Sequence, residues 1–152
     1  MAYINGNEVL FSAQVSISET DKATMVGLID GSLTEIDIPY GVTSISAYRF
    51  YNFTKLKRVT IPNSVTSIGT QAFAAVGLES IEIPSSVDKI ISYAFYSCSS
   101  LKSVVFKGKP TSIDSKAFTS CRVLESIECP WKEGEVANAP WGATTATILY
   151  TG

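Results

Sequence analysis

The 152-residue chain contains no histidine. This removes the usual base of Ser-His-Asp and Cys-His nucleophile systems and the commonest metal ligand. Its three cysteines, Cys98, Cys121 and Cys129, are one short of a four-thiolate zinc site and include no Cys-x-x-Cys pair. Glycine loops with phosphate-binding spacing are missing too. What remains is the chemistry of carboxylates, hydroxyls and phenols. Asp37, Glu82 and Glu128 recur at nearly equal intervals, and Tyr48 with Tyr51 is echoed by Tyr93 with Tyr96. Paired carboxylates could do acid–base work on a glycosidic bond. Clustered tyrosines could bind, being large, rigid and amphipathic.

How far apart these groups stand depends on the elements that carry them, and those follow an internal repeat. Aligning on Leu33, Leu56, Leu78, Leu101 and Leu124 gives steps of 23, 22, 23 and 23 residues. Three positions later stand Ile36, Val59, Ile81, Val104 and Ile127, and two further on Ile38, Ile61, Ile83, Phe106 and Cys129. Pro39, Pro62, Pro84 and Pro130 follow, with Lys107 the exception. Then come Val42, Val65, Val87 or Pro110, an isoleucine at Ile45, Ile68, Ile90 or Ile113, and a phenylalanine at Phe50, Phe73, Phe95 or Phe118.

The alternation after each leucine is that of a strand with one buried face. The proline, lacking an N–H, ends the strand at a corner. Phe50/Phe53, Phe73/Val76, Phe95/Cys98 and Phe118/Cys121 are spaced i,i+3, which predicts a short helical or 3₁₀ turn with both side chains inward. No single coil can bury its own apolar face, so the coils must stack, with parallel strands ~4.8 Å apart.

Stacking sets the distances. One outward strand column reads Glu35, Arg58, Ser80, Ser103, Ser126, and the other Asp37, Thr60, Glu82, Val105, Glu128. Acids two coils apart lie ~9.6 Å from one another, too far for one calcium ion to bridge with ~2.3–2.6 Å bonds. That spacing sits at the outer edge of the ~6.5–9.5 Å of inverting glycosidases. It also simply limits repulsion on a solvated sheet. Candidate binding positions are therefore Glu35, Asp37, Arg58, Thr60, Ser80, Glu82, Ser103 and Glu128. The tyrosines form a possible aromatic patch, although they also pack routinely over a turn. Cys98 and Cys121 share a column one coil apart, near enough for a disulfide, but the equivalent Phe53 and Val76 favour free thiols serving as small apolar residues. No catalytic residue, metal or cofactor is expected.

The order Leu-x-x-Ile-x-Ile-Pro, Val-x-x-Ile, Ala-Phe-x-x-Cys, as in Leu78 to Cys98, resembles the BspA-type leucine-rich repeat. The resemblance covers residues 33–129. It implies an α/β repeat fold: a right-handed leucine-rich-repeat solenoid with a parallel strand face, short helical or 3₁₀ turns on the other side, and caps at both ends. It also implies a non-enzymatic binding or structural module, and it supplies no catalytic residues. The expected domains are an N-terminal cap over 1–32, the solenoid over 33–129 with four full repeats and a fifth strand, and a C-terminal cap over 130–152. Asn5-Gly6 between Tyr3-Ile4 and Val9-Leu10-Phe11 is a hairpin signal, with a plain loop as the alternative. Val15 and Ile17 suit a further strand, and Lys22 to Ile29 a short helix. Trp131, Trp141 and Ile148-Leu149-Tyr150 can cover the last coil.

The flanks, Tyr-Ile-Asn-Gly-Asn-Glu-Val-Leu-Phe-Ser at the start and Asn-Ala-Pro-Trp-Gly-Ala-Thr-Thr-Ala-Thr-Ile near the end, are similar to short repeat proteins encoded among phage and prophage tail genes. That similarity implies a tail accessory or receptor-binding component, located in the virion or cytoplasm. The alternative is a bacterial surface, adhesin-type repeat domain, and a polysaccharide-active enzyme comes third. Net charge −2, 17% charged residues and a pI near 5.1 offer no basic field to nucleic acid or anionic lipid. Apolar runs fall far short of the ~20 residues that span a bilayer. The opening Met1 to Gly6 lacks the basic and apolar regions of a signal peptide. The expected partner is a protein or glycan, with no nucleic acid and no membrane insertion.

Overall fold

The computed structural model describes residues 2–4, 7–9 and 33–152. Strands β1 (Ala2–Ile4) and β2 (Asn7–Val9) pair antiparallel, Ile4 opposite Asn7, and β1 lies against β3. The turn residues Asn5 and Gly6, the Val15/Ile17 segment and residues 22–29 fall outside the described residues. From Leu33 onward the strands stack in two parallel sets, and the first four coils contribute one strand to each. The longer strands are β3 (Glu35–Asp37), β5 (Arg58–Thr60), β7 (Ser80–Ile83), β9 (Ser103–Phe106), β11 (Ser126–Cys129) and β12 (Thr147–Tyr150). The shorter ones are β4 (Ser44–Ile45), β6 (Ser67–Ile68), β8 (Lys89–Ile90) and β10 (Ser112–Ile113). Together they make a leucine-rich-repeat-like parallel β-solenoid of about five turns.

Register follows the sequence columns. Ile81 pairs with Val104 and Val104 with Ile127, so inward residues stack on inward residues. The prolines act as expected: Val42, Val65 and Val87 donate back to the carbonyls of Pro39, Pro62 and Pro84, closing a turn at each corner. Where Lys107 replaces proline, its N–H is free to act and donates to the Ile83 carbonyl at 2.8 Å. One more bond is thereby added to the ladder. At the C-terminal end β12 pairs in parallel with β11, Ile127 opposite Ile148, and adds a sixth rung to the longer stack. Trp131 and Trp141 are buried there, each against the other and against Phe106.

The third side of each coil corrects the expectation of helical or 3₁₀ turns: among the described residues there is no helix. Successive tight turns occupy these segments, with Tyr51 donating to Tyr48 and Phe53 to Phe50. Residues in the left-handed region interrupt them at Tyr48 and Asn52, Gln71 and Ala75, and Tyr93 and Ser97. A left-handed residue cannot propagate a right-handed helix. It turns alternate N–H groups outward along the stack instead. Tyr48, Phe50 and Asn52 donate to the carbonyls of Thr70, Ala72 and Ala74, and the next coil repeats the pattern. The i,i+3 spacing is therefore genuine, but it belongs to chained turns bonded from coil to coil.

Those turns hold the phenylalanines in a column. Phe50, Phe73, Phe95 and Phe118 are fully buried and stack nearly parallel, with ring centroids 5.0, 5.3 and 5.2 Å apart. Phe73 has a ring on either side, so truncating it leaves a cavity that neither neighbour can fill. We expect Phe73→Ala to cost about 3–5 kcal/mol, measured by chemical denaturation. A loss below about 1 kcal/mol would show that the stack is not a principal source of stability.

Candidate functional site

The outward side chains of the longer strands form the candidate face. Strand geometry sends alternate residues out, so Glu35 and Asp37 leave the core on either side of Ile36, and Arg58 and Thr60 on either side of Val59. Ser80 with Glu82, Ser103 with Val105 and Ser126 with Glu128 continue both columns. The structure thus places all eight residues expected from sequence on the outward side of the longer strands. Asp37 faces Thr60, and Val105 stands between Glu82 and Glu128.

Arg58 reaches back one rung and grips two acids, Nη2 to Glu35 Oε2 at 3.1 Å and Nη1 to Asp37 Oδ1 at 2.9 Å, with a further bond to the Thr60 hydroxyl. The Thr60 hydroxyl and then the Arg58 guanidinium hold the Asp37 carboxyl below its ordinary value, and the same two acids raise Arg58. Glu82 leans the other way, its carboxylate 3.7 Å from Lys107 Nζ. The tyrosines stand apart from this face, on the turn side. Tyr48 meets Tyr51 edge-on at 6.0 Å and Tyr93 meets Tyr96 at 5.4 Å. Gln71 bonds to the Tyr48 hydroxyl, and Lys116 sits over the Tyr93 ring. Cys98, Cys121 and Cys129 are free and buried. Cys98 and Cys121 donate to the Phe73 and Phe95 carbonyls. Hydrogen bonding to Cys121 and burial hold the Cys98 thiol well above its ordinary range, and burial pushes Cys129 up to about 12. Cys98 and Cys129 therefore stay protonated, while hydrogen bonding to Cys98 lowers Cys121.

One feature was not read from the sequence. The longer stack is bonded as β3-β5 and as β7-β9-β11-β12, with no ladder between β5 and β7. Elsewhere the strand is entered through paired bonds, as when Lys102 and Ser103 donate to Glu79, but among the described residues no counterpart joins Glu79 or Ser80 to Lys57. The opening is a crevice of about 460 Å³, with a rim of Arg58, Thr60, Asn63, Ser80, Glu82 and Lys107. Its floor is apolar. Within the inward column Ile36, Val104 and Ile127 are 0% exposed, whereas Val59 and Ile81, on either side of the break, reach 8% and 3%. The signal lay in the single 22-residue step from Leu56 to Leu78.

Comparison with known proteins places this scaffold. Residues 29–139 match the family described as the BspA type leucine rich repeat region, in six copies. Among solved structures, a leucine-rich cell surface protein from Faecalibacterium prausnitzii A2-165 aligns at 21% identity with a TM-score of 0.55, over 78% of this chain and 35% of its own. A leucine-rich repeat protein from Bacteroides ovatus aligns at 31% identity with a TM-score of 0.43, over 64% of this chain and 31% of its own. The first likeness shows the fold. This chain spans about a third of the length of either protein. No curated protein matches the chain.

The Asp37 environment gives a pH test. Its pKa is lowered from 3.8 on folding, so its contribution is present above that value and is lost as pH falls through the lower, folded-state pKa. Solvent screening at this exposed site limits it to under about 1 kcal/mol. Wild type should exceed Asp37→Asn in stability at neutral pH, and the two should converge as pH drops below ~4. Denaturation curves across pH check this, and a constant gap would refute it.

Proposed function

The chain belongs to the BspA-type leucine-rich repeat family, and from that membership we propose that it is a non-enzymatic binding module of a bacterial surface, adhesin-type protein. It recognises a protein or glycan through the outward face of β3 to β12. One observation carries the reading. The inward columns complete the core alone, and among the described residues no polar or charged residue is buried, so the polar residues of the strand face are not needed to build the core. A stacked sheet offers such a face as a long, regular platform.

The cell-surface setting reverses the order expected from the flanks. No matched family or structure carries the phage-tail resemblance of the flanks, whereas the repeats account for the matched region. The described residues include no helix long and apolar enough to cross a membrane. Four acids against one arginine in the two outward columns make nucleic acid a poor partner for this face.

Arrayed glycans and immobilised extracellular glycoproteins, probed with wild type, with the double variant Ser80→Trp/Ser126→Trp and with Ser115→Trp on the turn side, test the reading. Binding should fall at least ~tenfold in the double variant and be unchanged in Ser115→Trp. Binding that survives the double variant, or that fails only in Ser115→Trp, would move the site off the strand face. Cleavage of a bound glycan would overturn the non-enzymatic role.

A further inference from the structure

We propose that the crevice between β5 and β7 is a subsite for one neutral pyranose unit of a glycan, an inference that rests on the binding role of the strand face.

The crevice is built by the chain, not left by loose packing. In the other coils two residues separate the third-side column from the leucine, as Thr54-Lys55 do between Phe53 and Leu56, whereas Gly77 alone separates Val76 from Leu78. The shortened turn runs hard against the coil before it. A Cβ at Gly77 would stand 2.0 Å from the Thr54 carbonyl oxygen, so only glycine fits. The Gly77 N–H still reaches the Phe53 carbonyl at 3.2 Å, but beyond it β7 is carried out of ladder register with β5. The other two sides of the same coils stay bonded: Asp88 to Thr66 and Ile91 to Ile68 on one, Gln71, Phe73 and Ala75 to Ser92, Ala94 and Tyr96 on the other. The opening is confined to the face that does the binding.

Its chemistry selects among ligands. Arg58 is drawn back toward β3 by Glu35 and Asp37, and Glu82 is drawn forward by Lys107. The charged side chains therefore part over the break and are matched by their own partners. What they leave at the rim is neutral and hydrogen-bonding: Thr60, Asn63, Ser80 and Ser85. The main-chain groups of β5 and β7 that face each other add donors and acceptors with no ladder partner. Val59 and Ile81, 8% and 3% exposed, line the apolar floor between the two walls. A pyranose ring has this same division, hydroxyls at its edge and C–H groups on its face, and the volume falls within the ~300–1,000 Å³ of small-ligand sites.

Other occupants fit less well. An anion would meet the carboxylates of Glu35, Asp37 and Glu82 with the nearby cations already paired. A peptide strand inserted between β5 and β7 would need about 9.6 Å between them, two strand spacings, but Cα atoms of the two strands lie within 8 Å.

The test divides the double variant into its parts on an array of neutral, sialylated and sulfated oligosaccharides with extended peptides alongside. Wild type should bind neutral glycans. Ser80→Trp, which fills the crevice, should weaken that binding about tenfold or more, and Ser126→Trp, two rungs away on the same face, less than about twofold. Insertion of one serine between Val76 and Gly77 restores the 23-residue step. It should close the ladder, leave thermal stability equal or higher, and abolish neutral-glycan binding, which keeps the test valid should Ser80→Trp fold poorly. Undiminished binding by both crevice variants overturns the subsite. So does preference for acidic glycans or peptides. If Ser126→Trp alone removes binding, the crevice falls and the strand face stands; if neither single variant nor the double one matters, both fall.

Discussion

The stacked rings of Phe50, Phe73, Phe95 and Phe118 hold the pitch to which everything else conforms. Their centroid spacing of 5.0–5.3 Å is close to the ~4.8 Å separation of hydrogen-bonded strands. Ring stacking and backbone bonding therefore ask for the same rise per coil. Ring planes tilted by 10° or less at that centroid distance are offset, the arrangement aromatic faces prefer. Because both demands agree, most coils are closed by three short runs of coil-to-coil bonds, and among the described residues no helix is used. The constraint is also local. A coil that keeps its phenylalanine in the column can vary elsewhere, and Lys107 in place of a proline and Gly77 in place of two residues are both such variations.

The Gly77 shortening shows what the constraint does and does not control. Phe73 precedes the deletion and stays in the stack at 5.0 and 5.3 Å from its neighbours, so the loss of one residue is absorbed after it. The consequence appears in the strand entered next, β7, whose bonds to β5 are missing while those to β9 are intact. Unpaired main-chain groups are costly when buried and nearly free when hydrated. The break can persist because it opens toward solvent on the strand face. The same opening would be far more costly in the interior, among the phenylalanines.

Much of this was legible in the sequence, because inward columns obey period and apolarity and nothing else. Ile36, Val59, Ile81, Val104 and Ile127 could be placed on one buried line before any coordinate was known, and the outward pairs followed by alternation. The third side was misread for a physical reason. The i,i+3 spacing of Phe50 and Phe53 is common to a helical turn and to chained tight turns, and the left-handed residues that separate the two carry no glycine to announce it. They are tyrosine, asparagine, glutamine, alanine and serine. The crevice is not legible in the sequence because aligning on leucines absorbs a one-residue gap without showing where the backbone loses its partners.

The electrostatics around Asp37 do not suit a proton donor. A carboxylic acid able to donate a proton near neutral pH needs burial or a like charge close by to raise its pKa. Asp37 has the reverse, a hydroxyl and a guanidinium that keep it ionised, and among the described residues no carboxylate is buried. The register also sets Val105 between Glu82 and Glu128 and Thr60 between Asp37 and Glu82. Charged rungs thus alternate with uncharged ones in that column. Glu35, Asp37 and Glu82 are each held by a neighbouring cation.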